Sequence, residues 1–440
     1  VKEGVSVPFP SAIDITKQLI TFRTVNPPGD ELYAQEYLQG ILEKGGFPVR
    51  RFEKVPGRPN LVTRLPGQDR KPPLLLYGHI DVVGTDGQAW SVPPFAGVER
   101  DGLLYGRGAL DMKAGVAMLV HTLLQAKVQK LRPAGDIVLV IVVDEESGGE
   151  TGMQYLLQEH PEIFKGVRYA IGEFGGFPLY AFGHKFYRIG VSQKQYAHLR
   201  LRLQAPSGHG SLPARDTVMA KLGSALVKLD QASMPYHKIP LVTHIIQLMR
   251  EVLPDDSKEI LEGLLDPGRF EDSLAAIHQG RERFESLFRD TANPTIVTAG
   301  KKFNVIPGEA LVEIDARILP GRTTEDMVSE LQTLLGEEAI IEVLASGPKT
   351  KLTVDYALFD TLSNILTELD PTGTPIPYLF NESPDGRLLE DHGIQNYGFL
   401  PMNLPPEIDL PSVIHGENER VPVSSITFGA DALYKLLARY

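Results

Sequence analysis

The stretch IVLVIVVDEESGGETG, Ile137 to Gly152, runs seven apolar residues straight into three carboxylates. An unbroken apolar run of this length suits a strand buried on both faces, as in a parallel sheet covered by helices. An ordinary exit from such a strand needs one turn-former. Three acids at its mouth, Asp144, Glu145 and Glu146, repel one another unless positive charge sits among them.

Similar runs lie on either side. PPLLLYGHID (72–81) and YAIGEFGG (169–176) are apolar and end in His, Asp or Glu. Helical patterns separate them: SAIDITKQLITF carries a capping pattern, GDELYAQEYLQGILEKGG is amphipathic and closes on a Gly pair, and MKAGVAMLVHTLLQAKVQ is apolar throughout. The expected fold class is therefore α/β, with a mostly parallel sheet and ligands at the carboxyl ends of its strands.

From about Lys194 the pattern changes. YAHLRLRLQA alternates, DTVMAKLGSALVKLD reads as a helix, TIVTA as a short strand, and ALVEIDARIL alternates with Ala310, Val312, Ile314, Ala316 and Ile318 on one face. TTEDMVSELQTLLGE is a helix with a Thr323/Asp326 capping pair, and EAIIEVLAS closes the series. The order β-α-β-β-α-β is ferredoxin-like. It carries a charged helical insertion over about 232–292, whose i, i+4 acid–base pairs describe a solvated surface that could cover a cleft. After Lys351 the α/β character returns. The expected organisation is one domain over 1–193 and 351–440, interrupted by a smaller α+β domain over 194–350.

The totals exclude several classes. A length of 440 residues suits two domains, and a net charge of −12 argues against a nucleic-acid partner. No apolar run reaches the ~20 residues of a membrane span. VKEGVSVPFPSAID lacks an apolar leader core, which gives the expectation of a cytoplasmic protein. With no cysteine, disulfides, zinc–thiolate sites and a cysteine nucleophile are excluded.

The polar residues at the strand ends can be read singly. His79 and Asp81 are two apart, hence on one sheet face, as suits a metal-binding imidazole steadied by an acid; a lone strand-end His satisfied by a neighbour is the plainer reading of this fragment. Asp111 in GRGALDMKAG could be an N-cap or a carboxylate bridging two ions. Glu173 stands between glycines in IGEFGG, and His415 follows an apolar pair in VIHGENERVP. Together they form a donor set of imidazole and carboxylate suited to a dinuclear site.

Seven motifs in order, GHIDVV, GRGALDMKAG, DEESGG, GEFGG, SGHGSLP, NVIPGEALVEIDARILPG and HGENERV, resemble the dinuclear-zinc exopeptidase and deacylase family. Its members include aminoacylase, acetylornithine deacetylase, succinyl-diaminopimelate desuccinylase, glutamate carboxypeptidase, carboxypeptidase S and carnosinase. The resemblance covers nearly the whole chain apart from the insertion. It implies that His79, Asp111 and Glu173 hold one zinc, and Asp111, Glu146 and His415 the other. Cobalt or manganese would suit the same donors. Asp81 would orient His79, and Glu145 would be the general base. A cis peptide is implied at Asp111–Met112.

In the inserted domain the resemblance implies a lid and dimerisation role, with His209 reaching a neighbouring subunit's site to stabilise an oxyanion. Arg317 and Asn304 would grip a substrate carboxylate or carbonyl, with Arg387 of SPDGR as a second candidate; an Arg fork matches both oxygens of a carboxylate. Read without the family, SGHGS is a surface turn and Arg317 a salt bridge to Asp315. The departures FNESPDGR (380–387) and YGFLPMNLPPEIDLPSVIHG (397–416), with the insertion, are similar to the branch of carboxypeptidase S and N-acyl-amino-acid hydrolases. The implied activity is hydrolysis of an amide beside a free carboxylate, N-acyl amino acids first and short peptides second, by a homodimer acting on a small molecule. A non-catalytic binding relative is the rival class; its mark would be a lost ligand or base, and none is lost.

Overall fold

The computed structural model describes residues 9–382 and 384–440. The opening VKEGVSVP, on which the leader expectation rests, and Ser383 lie outside the described residues. Two compact units emerge: 9–191 with Asp355–Pro377 and Pro384–Tyr440, and Ser192–Val354 with 378–382. The short 378–382 stretch joins the second unit although its sequence neighbours on both sides belong to the first.

The first unit is built on a nine-stranded sheet whose middle strands run in the order Asn60–Leu65, Ile137–Val142, Leu74–His79, Tyr169–Gly172, Gln395–Gly398. The last four are mutually parallel, and His79 stands opposite Val142. Every residue of Ile137–Val142, Leu74–His79 and Tyr169–Gly172 is buried, as the apolar runs require. Because the three strands are parallel neighbours, the polar residues that follow them emerge at one end of the sheet. Helix Lys113–Val128 packs against the Leu74–His79 strand and against helices Ala12–Thr21 and Val423–Arg439. With neighbours on every side it buries twelve residues, which explains an apolar pattern without a polar face. The Ser11/Asp14 capping box opens Ala12–Thr21 as the sequence suggests.

The second unit has an antiparallel four-stranded sheet in the order Thr291–Ala299, Glu309–Ile318, Gln195–Gln204, Ile340–Ser346. This is the ferredoxin-like arrangement, with helices Val218–Gln231 and Thr324–Leu335 supplying Val218, Leu222, Leu229, Met327 and Leu331 to the same core as Ala310, Val312, Ile314, Ala316 and Ile318. The Thr323/Asp326 capping box forms.

The insertion departs from expectation. Its helices Pro240–Val252, Asp255–Leu264, Phe270–Ala275 and Arg281–Phe288 are more than a solvated surface. They bury Ile245, Ile246, Met249, Leu261, Leu264, Phe284 and Leu287, and Tyr236 stacks on Phe288 while both meet Phe270. The insertion thus carries a small core of its own, into which even Arg289, the i, i+4 partner of Glu285, is drawn over the Phe270 ring. Among the described residues no helix is long and apolar enough to cross a membrane.

Candidate metal centre

The ladder of Leu74–His79 ends at His79, the chain runs on with Ile80 N donating to Val142 O at 3.1 Å, and Asp81, two residues along, lies on the imidazole's side. His79 Nδ1 lies 3.0 Å from the Asp81 carbonyl oxygen and 3.5 Å from its carboxylate. With Nδ1–H donating there, Nε2 presents its lone pair to the opposite side. That side holds Asp111 Oδ1 at 3.1 Å and Glu173 Oε1 at 3.4 Å.

Asp111 is not an N-cap: helix Lys113–Val128 is preceded by Met112 without a side-chain cap, and the Asp111–Met112 peptide is cis. Its two oxygens face different imidazoles, Oδ1 towards His79 and Oδ2 towards His415 Nε2, each at 3.1 Å. His415 Nε2 is also 3.3 Å from Glu146 Oε2. His79, Asp111 and Glu146 have donor atoms within 4.8 Å of one another, and so do His79, Glu145 and Glu173. All five expected metal ligands, with Glu145 and Asp81, thus meet at the carboxyl ends of adjacent strands.

The glycines around these residues have specific work. Gly148 and Gly149 after Glu146 adopt φ of 104° and 79°, which L side chains rarely take. Gly172 before Glu173 does more than avoid crowding: a Cβ there would come within 2.1 Å of the Tyr77 ring.

The donor set fits divalent cations. Glu146 Oε1 and Glu173 Oε2 are buried and have no hydrogen-bond partner, an expensive condition for carboxylate oxygens. Burial, then the Glu173 charge, push Glu145 well above the usual carboxylate range. Burial drives Glu173 up to about 7 against the opposing pull of His79. Hydrogen bonds to Asp111 and Glu146 raise His415 to about 10. Burial alone would lower His79, yet Glu173 and hydrogen bonds to Asp111 and Asp81 carry it well above an ordinary imidazole. Acids that hold on to protons and imidazoles that seek them describe a cluster short of positive charge. Two cations would supply it.

Several supporting residues escape sequence reasoning. Asp144, the first of the three opening acids, is no ligand. It sits in the left-handed region at φ 73° and accepts from Thr151 N at 2.9 Å, Asn26 Nδ2 at 3.1 Å and Arg58 Nη1 at 3.3 Å. Arg58 is in turn forked onto the buried Glu31 at 2.6 and 2.9 Å. Arg58 therefore supplies part of the positive charge the opening stretch demands. In the sequence it reads as one more residue of the turn VPGRPN.

The remaining candidates belong to other segments. Arg387 on helix Gly386–Asp391 donates to the Gly148 carbonyl at 3.2 Å, beside the acidic loop. In the second unit, His209 stands opposite Val305 in a short ladder, and Gly210 N donates to Asn304 O at 2.9 Å, so the His209 and Asn304 segments are neighbours. His209 is exposed and its Nδ1 meets Ser211 Oγ at 2.7 Å. Arg317 directs Nε and Nη2 to Asp315 at 3.1 Å each and Nη1 to the Asn381 carbonyl at 3.4 Å.

A parallel sheet with a two-histidine, carboxylate-rich cluster at its strand ends defines a metal-dependent hydrolase, and known proteins agree. Residues 75–439 match peptidase family M20/M25/M40, and the chain belongs to that family. It is 32% identical to the human N-fatty-acyl-amino acid synthase/hydrolase PM20D1 over 83% of this chain and 73% of that protein. It is 26% identical to aminoacylase-1 of Sus scrofa over 97% of this chain and 94% of that one. Among solved structures, the di-peptidase Dug1p of Saccharomyces cerevisiae superposes with a TM-score of 0.68 at 16% identity, covering 98% and 95% of the two chains, a likeness of fold.

Proposed function

We propose that the protein hydrolyses the amide bond of N-acyl amino acids, with two zinc ions as its native metals. The observation that carries the reading is Asp111, whose two oxygens each face a different imidazole in a cluster of buried acids. The likeness to N-fatty-acyl-amino acid hydrolases and aminoacylases supports the substrate class. His79, Asp111 and Glu173 would hold one ion and Asp111, Glu146 and His415 the other. Bound there, the ions would polarise the amide carbonyl and make water acidic enough to attack near neutral pH.

The chain's own residues do the rest. Glu145 takes the proton of the attacking water and delivers it to the departing nitrogen, a transfer worth about 10²–10⁴-fold in rate. His209 donates to the oxygen that becomes negative in the tetrahedral species. Arg317 and Asn304 grip the free carboxylate of the amino acid, with Arg387 as a further cation. For Arg317 this means exchanging part of its fork on Asp315 for the substrate. Metal-loaded protein incubated with equal amounts of N-acetyl, N-long-acyl and N-succinyl amino acids and dipeptides is expected to cleave the acyl amino acids, and not after chelation. Cleavage confined to dipeptides would move the substrate class to peptides.

His209 is assigned to act across a homodimer formed through the second unit. Strand Thr291–Ala299 is an outer strand of its sheet and exposes Ile296 and Val297, and Phe303 beside Asn304 is fully exposed, all features suited to a second copy. Mixing His209→Ala protein with Glu145→Gln protein is expected to restore part of the activity each lacks. Full silence of the mixture would place His209 outside a shared site.

A further inference from the structure

The motif HGENERV supplies more than His415. Glu419 is fully buried and so is Arg107, with Arg107 Nη1 donating to Glu419 Oε2 at 2.7 Å. The same oxygen accepts from Gly108 N at 2.9 Å, and Oε1 accepts from Leu110 N at 2.7 Å and Asp111 N at 3.1 Å. One carboxylate thus gathers three backbone N–H groups of the loop that ends in the bridging ligand, Asp111's own among them. The far end of Arg107 reaches the other ligand: Nη2 donates to the His415 carbonyl at 3.1 Å and to Gln88 Oε1 at 2.9 Å. Gln88 Nε2 donates to the same His415 carbonyl at 2.7 Å. His415 has φ 59°, a left-handed conformation that a non-glycine residue keeps only when its surroundings hold it.

We infer that Glu419, braced by Arg107, is a positioning residue that fixes the separation of Asp111 and His415 and so the fit of the ion they share. The inference rests on the two-ion reading above. An ion pair that merely stabilised the fold could be buried anywhere, and such pairs often contribute little net stability. This one ends on the main chain of two ligands drawn from distant parts of the sequence. Glu419→Gln puts an amide N–H₂ where only acceptors fit, facing either Arg107 or the loop N–H groups. Gln88→Ala removes one of the two donors to the His415 carbonyl and leaves the buried pair intact.

The test is competition of zinc against a chromophoric chelator for wild type, Glu419→Gln and Gln88→Ala, with thermal melting of each chelator-stripped protein. The expected result is one of two ions weakened by about 10–100-fold in Glu419→Gln, the scale for lost outer support of a ligand. Gln88→Ala should weaken the same ion by a smaller factor at an unchanged metal-free melting temperature. Equal affinities for both ions in all three proteins, with only the melting temperature of Glu419→Gln lowered, would overturn the inference while leaving the metal site standing. If Glu419→Gln does not fold, unchanged zinc affinity in Gln88→Ala overturns it. Wild-type protein that binds no zinc would overturn the two-ion reading and this inference with it.

Discussion

Glu145→Gln is expected to reduce turnover by about 10²–10⁴-fold while the protein still takes up its full complement of metal. The substitution keeps the side chain's size and one acceptor oxygen, and it removes the carboxylate charge and with it the ability to take a proton. Glu145 sits on a short 3₁₀ turn, Glu145–Ser147, whose first N–H is held by Asp81 Oδ1 at 3.1 Å, so its backbone position does not depend on its charge. The burial and neighbouring acids that raise its pKa make it a strong base once cations offset those acids. Steady-state kinetics with metal content measured on the same sample checks this. Activity within a fewfold of wild type would remove Glu145 from the mechanism. Loss of metal in proportion to activity would make it a ligand instead, a role its place beside His79 and Glu173 would also allow.

The second large effect is expected at Asp81. Its carboxylate accepts from Glu145 N and Glu146 N, each at 3.1 Å, and from Asn26 Nδ2 at 2.8 Å, while its backbone carbonyl faces His79 Nδ1. Burial tends to raise its pKa, but the hydrogen bond and charge of His79 and the Asn26 amide outweigh it and hold the acid below its ordinary value. Asp81 is thus ionised at neutral pH and ties the His79 strand to the acidic turn. Asp81→Asn places an amide donor against either Glu145 N or the pair Glu146 N and Asn26 Nδ2, and removes the buried charge. Metal affinity should fall about 10–100-fold, and kcat should fall further even at saturating metal because Glu145 and Glu146 shift together. Chelator competition and kcat at saturating zinc measure the two losses separately. A variant with normal kcat at saturation would confine Asp81 to the orientation of His79.

What could be read in the sequence was set by local pattern. The buried strands announce themselves through IVLVIVV and LLLYGH, and the capping pairs Ser11/Asp14 and Thr323/Asp326 need only their own neighbours. The candidate ligands stand out because imidazoles and acids at the ends of apolar runs are rarely there for packing. The residues that were missed, Asn26, Glu31, Arg58, Arg107 and Glu419, act through contacts between segments far apart in the chain. No periodicity marks such contacts. A buried Arg in a loop looks like an exposed one until its carboxylate is found. The aromatic core of the insertion was hidden for a related reason: Tyr236, Phe270 and Phe288 are too widely spaced to form a visible stripe.

The strand Gln395–Gly398 pairs in parallel with Tyr169–Gly172 and is made long after it. During synthesis the edge of Tyr169–Gly172 stays open while the whole of the second unit leaves the ribosome, and an open apolar edge invites pairing with other chains. A nascent chain halted before residue 395 therefore carries an open flank and lacks His415, whereas a chain that extends past both can pair this edge and set His415 beside Asp111. Pairing of this late strand, rather than local folding, is the step that covers the edge of Tyr169–Gly172.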